Sequence, residues 1–218
     1  MIIENKIKRI SIDNVNYPEQ LRHIYDPPKV LYVLGNEQIL NNVSIAIVGC
    51  REATEYGKKA AIYFASNLAK QDINIVSGLA MGIDSYAHIG ALQAKGKTIA
   101  VIGSGLDIIY PTENQKLAQY IFNSGGAIIS EYPLGTKPKK EHFPARNRII
   151  RGVSNSGIIV EAKEKSGALI TADFAMEQGK DVFVVPGNIN SLNSVGTNNL
   201  IKDGAILVNN YNDILKCF

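Results

Sequence analysis

The sequence predicts an α/β protein: an extended Rossmann-like, doubly wound, mostly parallel sheet with helices on both faces. Three observations predict it. From about residue 43 onward, short apolar runs alternate with stretches of helical period. The runs are almost continuously apolar, as strands covered on both faces must be. Several end at a glycine, which allows the sharp turn from strand to helix.

The elements follow in order. Residues 1–42 carry Pro18, Pro27 and Pro28 and show weak periodicity, so they read as an N-terminal extension packed on a core of residues 43–218. Residues 44–49 are the first buried strand, ending at Gly49. Residues 56–70 are helical, with Ala60, Ala61, Phe64, Ala65, Leu68 and Ala69 on one face. Residues 73–77 form the second strand and 83–94 the next helix. Residues 98–102 form a strand, 113–122 a helix and 127–130 a fourth strand. Strands at 157–160 and 181–185 enclose a helix at 169–178, and 205–208 is a short last strand. Alternation of this kind demands right-handed crossovers and a parallel sheet. Ligands of such sheets bind beyond the carboxyl ends of the strands, where Gly49, Gly78, Gly103 and Glu131 fall.

Composition narrows the function. With 218 residues and ordinary apolar content the chain can bury a full core. A net charge of +3 does not by itself signal nucleic acid, so any electropositive footprint must come from clustering. Cys50 and Cys217 are far apart, and His23, His88 and His142 do not cluster, so no metal site is expected. No signal peptide and no membrane-length apolar run is evident, which reads as a reduced, cytoplasmic protein away from membranes.

Each strand end carries a turn with chemical potential. Val48-Gly49-Cys50-Arg51 offers close backbone approach and a cation near a helix N-terminus, an anion-compatible arrangement; a plain turn with a solvated arginine is the simpler reading. Ser77-Gly78-Leu79-Ala80-Met81-Gly82 forms a second such turn, with Asp84 placed to start the next helix. Asp84 and His88 share a helical face, where a catalytic pair is conceivable and a structural pair is the simpler reading. Gly103-Ser104-Gly105-Leu106-Asp107 with Tyr110-Pro111 suits a tight loop before a helix. Glu131 could pair with a groove arginine or act as an acid/base, and a positioning salt bridge is the simpler reading. Ser166 and Gly167 offer either an amide cradle for an anion or a helix cap, and Thr197 reads as an N-cap. No G-x-G-x-x-G follows the first strand, and neither a Walker A loop nor a G-x-S-x-G elbow occurs. A cofactor and catalysis are therefore not expected.

Charge and aromaticity concentrate at one place. His142-Phe143-Pro144-Ala145-Arg146-Asn147-Arg148-Ile149-Ile150-Arg151 holds three arginines in six positions, with Lys137, Lys139 and Lys140 just upstream. Arginine forks grip phosphate oxygens, and an exposed Phe can stack on a base. A solvated basic loop whose Phe and Pro cover a core edge is the competing reading.

Taken together and in this order, the motifs closely resemble the DNA-processing protein A (DprA/Smf) family. The carrying segments are Val48-Gly49-Cys50-Arg51 with Thr54 and Tyr56-Gly57, residues 77–84 with Ala87-His88, Gly105-Leu106-Asp107 with Tyr110-Pro111, Ser130-Glu131-Tyr132-Pro133 and residues 143–150. Val160-Glu161-Ala162, residues 166–172 and residues 182–187 complete the set, and the likeness extends from about residue 17 to residue 210. The resemblance implies a protein that binds single-stranded DNA, protects incoming strands in natural transformation and helps load the RecA recombinase. It implies a homodimer without known catalysis. By matching motifs, Arg51, Phe143, Arg146, Asn147 and Arg148 would contact the strand, with the amides of Gly49, Gly78 and Gly167 nearby. Lys137 and Lys140 fall in a more variable loop. Cys50 and Ala168 stand where the family commonly has a small hydroxyl residue, which removes one phosphate hydrogen bond each. The winged-helix-like C-terminal domain and the N-terminal helical domain of many relatives do not fit within this length. A nucleotide-binding enzyme of the nucleoside-monophosphate phosphoribohydrolase (lysine-decarboxylase-like) type is the alternative. It needs P-G-G-x-G-T-x-x-E, and Pro186-Gly187-Asn188 does not continue that way.

Overall fold

The computed structural model describes residues 6–164 and 180–217. Among them nine strands form one sheet. They are β1 (Ile7–Ser11), β2 (Val30–Gly35), β3 (Ser44–Val48), β4 (Asn74–Ser77), β5 (Thr98–Val101), β6 (Ala127–Ser130), β7 (Ser156–Ile159), β8 (Val182–Val184) and β9 (Ile206–Leu207). The helices are α1 (Glu19–Arg22), α2 (Glu55–Ala69), α3 (Ile83–Gln93), α4 (Gln115–Asn123), α5 (His142–Gly152), α6 (Val195–Lys202) and α7 (Tyr211–Leu215).

Strand order is β1-β2-β6-β5-β4-β3-β7-β8-β9. The seven strands from β6 to β9 in that order run parallel. The chain walks outward from β3 to β6, then returns to place β7 on the opposite side of β3. The β3/β7 boundary is thus the topological switch point, where loops diverge and leave a crevice. Gly49 to Arg51 leave β3 there, and Glu161 follows β7.

The strands alternate side chains between the two faces of the sheet. Ile45 and Ile47 of β3 join Phe64, Leu68, Ile75 and Ile83 on one face. Ala46 and Val48 join Leu31, Val33, Ile149 and Ile150 on the other. Helix α2 starts where Thr54 caps it, its side chain accepting from the Gly57 amide. Helices α2 and α3 approach closely because Gly90 lacks a side chain: a Cβ there would lie 2.8 Å from the Ile62 carbonyl oxygen.

Three readings change. The first 42 residues contribute β1 and β2, which continue the sheet antiparallel beyond β6. Their prolines lie between and beside these strands, and Lys8 and Arg9 interrupt the apolar pattern of β1, which hides the strand in the sequence. The basic stretch is helix α5, not a loop. Pro144 falls in its first turn, where no intrahelical N–H is required. Helix α6 begins before Thr197, whose hydroxyl instead donates to the Ser194 carbonyl at 3.0 Å. The helix expected at 169–178 lies outside the described residues.

Candidate nucleic-acid interface

Two turns form the floor of the crevice. At Gly49 a Cβ would lie 2.7 Å from Ile83 and 2.9 Å from the Glu161 carbonyl oxygen, so only glycine lets the strand end fit. The Cys50 amide donates to the Glu161 carbonyl at 2.9 Å, and its thiol is buried. Burial pushes the Cys50 thiol pKa up, keeping it protonated and inert. Gly82 (φ +78°) lies against this turn, and the Ile83 amide donates to the Cys50 carbonyl at 3.1 Å. The backbone of Cys50 is therefore spent inside the protein, and the next residue, Arg51, is exposed. The Gly78 amide is spent too, donating to Asp84 Oδ2 at 3.1 Å. Neither the Cys50 nor the Gly78 amide is offered to an anion, because internal carbonyl and carboxylate acceptors already hold them.

Helix α5 crosses over these turns. Arg146 is only 4% exposed, and its Nη1 donates to the carbonyls of Gly78 and Val101, tying together the ends of β4 and β5. Burial lowers its pKa to about 10, and the Asp84 charge opposes that shift. Burial likewise raises the Asp84 pKa, with Arg146 and the Gly78 and Ala80 amides pulling it down. Arg146 thus braces the two turns from within the protein through Nη1, while its buried Nε has no partner among the described residues.

His88 is fully buried and does not serve Asp84. Its Nδ1 lies 2.7 Å from Thr98 Oγ1, whose hydroxyl donates to the Ile75 carbonyl at 2.6 Å. The hydroxyl proton being committed, Nδ1 must be the donor, which leaves Nε2 bare and unpartnered. Burial, with Arg146 adding to it, lowers the His88 pKa to about 3.

Arg148 lies on the flank of α5. It makes a two-pronged bond to Glu131, Nη1 to Oε1 and Nη2 to Oε2 both at 2.7 Å, and its Nε donates to the Asp26 carbonyl at 2.9 Å. Glu131 thus makes the positioning salt bridge that its place after β6 suggests. Asn147 is half-buried on the same helix.

The exposed layer differs in character. The Arg51 guanidinium sits 5.1 Å from the centre of the Phe143 ring. The Tyr110 ring lies 5.8 Å from Phe143 at an angle of 39°. His142 stacks on Tyr132 at 4.0 Å, and its Nδ1 lies 2.9 Å from the Gly103 carbonyl oxygen. Lys137 and Lys140 project into solvent from the loop that precedes α5. That loop is pinned by Asp107, whose carboxylate accepts from the Gly135 amide at 3.0 Å. Ser166 and Gly167 lie outside the described residues.

The structure therefore brings Gly49, Arg51, Gly78, Phe143 and Arg146 together, and sorts them into a buried frame of Gly78 and Arg146 and an outer lip of exposed Arg51 and half-buried Phe143. Sequence reasoning missed the Asp84–Arg146 and Asp26–Arg148 couplings and the proximity of Tyr110 to Phe143. No local pattern signals contacts so distant along the chain. Such a lip can hold phosphate oxygens through free cations and bases through rings. Among the described residues no group of three or more His, Cys, Asp or Glu side chains converges to hold a metal. No helix among them is long and apolar enough to cross a membrane.

Residues 8–218 match the family DNA recombination-mediator protein A. The DNA processing protein DprA of Streptococcus pneumoniae is 46% identical over 213 residues, covering 98% of this chain and 75% of that relative. Its crystal structure superposes with a TM-score of 0.93, covering 100% of this chain and 76% of that one. Protein Smf of Escherichia coli K12 is 44% identical, and the match spans 95% of this chain and 55% of Smf. DprA of Helicobacter pylori, whose structure is described for its single-stranded DNA binding mode, is 36% identical with a TM-score of 0.88, covering 97% of this chain and 95% of that one. The chain belongs to the DNA recombination-mediator protein A (DprA/Smf) family.

Proposed function

We propose that this chain binds single-stranded DNA along the carboxyl ends of β3 to β6, protects incoming strands during natural transformation and helps load RecA onto them. One observation carries the reading: an exposed arginine, Arg51, rests on the Phe143 ring at the mouth of the switch-point crevice, and Lys137 and Lys140 are exposed on the loop that leads into the helix of Phe143. A cation and a ring so placed suit a phosphate and its base. The single-strand binding described for the Helicobacter pylori relative supports it. RecA as partner, a homodimeric state and action by binding rather than catalysis extend this reading from the family. Arg146, Arg148 and Gly78 hold the groove in shape, and Arg51, Phe143, Lys137 and Lys140 meet the strand. Base edges are not read, so binding is nearly sequence-neutral, and a duplex, with its bases stacked inside, competes poorly.

Fluorescence anisotropy of a labelled oligothymidine at several salt concentrations tests this. About four neutralised phosphates give a log–log salt slope near roughly −3. Arg51→Ala weakens binding and flattens that slope by about 0.7. Unchanged affinity and slope in that variant would remove Arg51 from the groove and the proposal with it.

A further inference from the structure

We infer that Tyr110 forms a second base-stacking subsite beside Phe143, so that the strand lays two neighbouring bases on one rigid aromatic lip. The inference rests on the single-strand reading above and adds to it the number and place of the stacked bases.

Tyr110 is 45% exposed, so a face of its ring is open to a flat ligand. It sits on a loop pinned from several sides. Ser104 Oγ donates to the Ile108 carbonyl at 2.6 Å, and the Gly105 amide donates to the Thr136 carbonyl at 2.9 Å. Just beyond, Asn114 Nδ2 donates to the Leu79 carbonyl at 2.8 Å and to Ser85 Oγ at 2.9 Å, tying this segment to the second turn of the floor. An exposed ring on a fixed support loses little entropy when a flat ligand settles on it.

Geometry then assigns the faces. One side of Phe143 carries the Arg51 guanidinium. At 5.8 Å and 39° the rings of Phe143 and Tyr110 are too close and too tilted to admit a base between them. Bases must therefore lie along their outward surfaces, one to each ring. Arg51, leaving the ring for a phosphate, frees the Phe143 face for the first base. Tyr110, with no cation on its ring among the described residues, receives the second. Stacking takes any base, which fits sequence-neutral binding.

The test titrates wild type, Tyr110→Leu and Tyr110→Phe with labelled oligothymidine and with an abasic sugar-phosphate strand of equal length, alongside thermal melting. Tyr110→Leu should weaken oligothymidine binding about 5- to 100-fold, with the salt slope and the abasic affinity unchanged. Tyr110→Phe should restore wild-type binding, since the ring and not the hydroxyl stacks. Equal oligothymidine affinity in wild type and Tyr110→Leu, with Phe143→Leu weakened, overturns the second subsite and leaves the groove standing. Equal losses on both strands, or a fall in melting midpoint accompanying the loss, make Tyr110 a structural residue and overturn the inference. Failure of wild type to bind oligothymidine overturns the groove reading first, and this inference with it.

Discussion

Replacing Arg146 with leucine separates the frame of the groove from its contact surface. The leucine keeps apolar bulk but withdraws the donor that serves the Gly78 and Val101 carbonyls. Hydrogen bonds from a charged donor contribute about 1.5–3 kcal/mol each, and the two carbonyls left behind are buried. Asp84, buried and pushed toward protonation by that burial, also loses the cation that opposes the shift. Relief from burying a guanidinium offsets part of this. Breaking a buried charged arrangement from one side costs about 3–5 kcal/mol. For a chain of this size that corresponds to a fall in melting midpoint of roughly 10 °C. Circular dichroism melts of Arg146→Leu and Arg51→Ala, run in parallel, give the comparison. Arg146→Leu should melt early, while Arg51→Ala, changed at an exposed side chain, should melt with wild type and lose only DNA affinity. A wild-type melting midpoint in Arg146→Leu, together with lost DNA binding, would refute the reasoning, because it would show an arginine that faces the strand and supports nothing.

Two more perturbations follow from the same geometry. Glu131→Gln removes one charge of a pair whose side chains are 14% and 17% exposed, and should destabilise the protein by about 1–3 kcal/mol in denaturant unfolding; unchanged stability would mean that Asp26 alone holds Arg148. His88 should make the protein acid-sensitive. Its pKa falls from 6.5 to about 3 on folding, so the stability it contributes is complete above pH 6.5 and is lost as the pH falls toward 3. Between those limits the unfolded chain binds one more proton than the folded one, which is worth about 1.4 kcal/mol per pH unit. A His88→Asn variant should show a shallower decline in that window than wild type, and identical declines would place the protonation elsewhere.

Much of the fold was legible in local pattern. The buried strands β3 to β7 read as apolar runs, and α2 as a face of alanines with Phe64 and Leu68, because these signals are local in sequence. The antiparallel strands β1 and β2 were not legible, and β1 is an edge strand. An edge strand is half solvated, so charges such as Lys8 and Arg9 break its apolar run. Helix α5 was also hidden, since a proline and three arginines mask its apolar face of Ile149 and Ile150. The site was legible as a list of residues and not as an arrangement.

By itself the sequence determined a parallel doubly wound sheet, the turns at its strand ends and the stretch where cations and an aromatic gather. Each depends on residues within a few positions of one another. Tertiary structure alone decided which of those cations are free. Arg146 meets carbonyls 68 and 45 residues away. Arg148 meets a carboxylate 17 residues away and a carbonyl 122 residues away. Arg51 meets only a ring among the described residues and stays at the surface. An arginine's charge belongs to its residue type, but its availability to a phosphate depends on whether folding has already supplied it with acceptors.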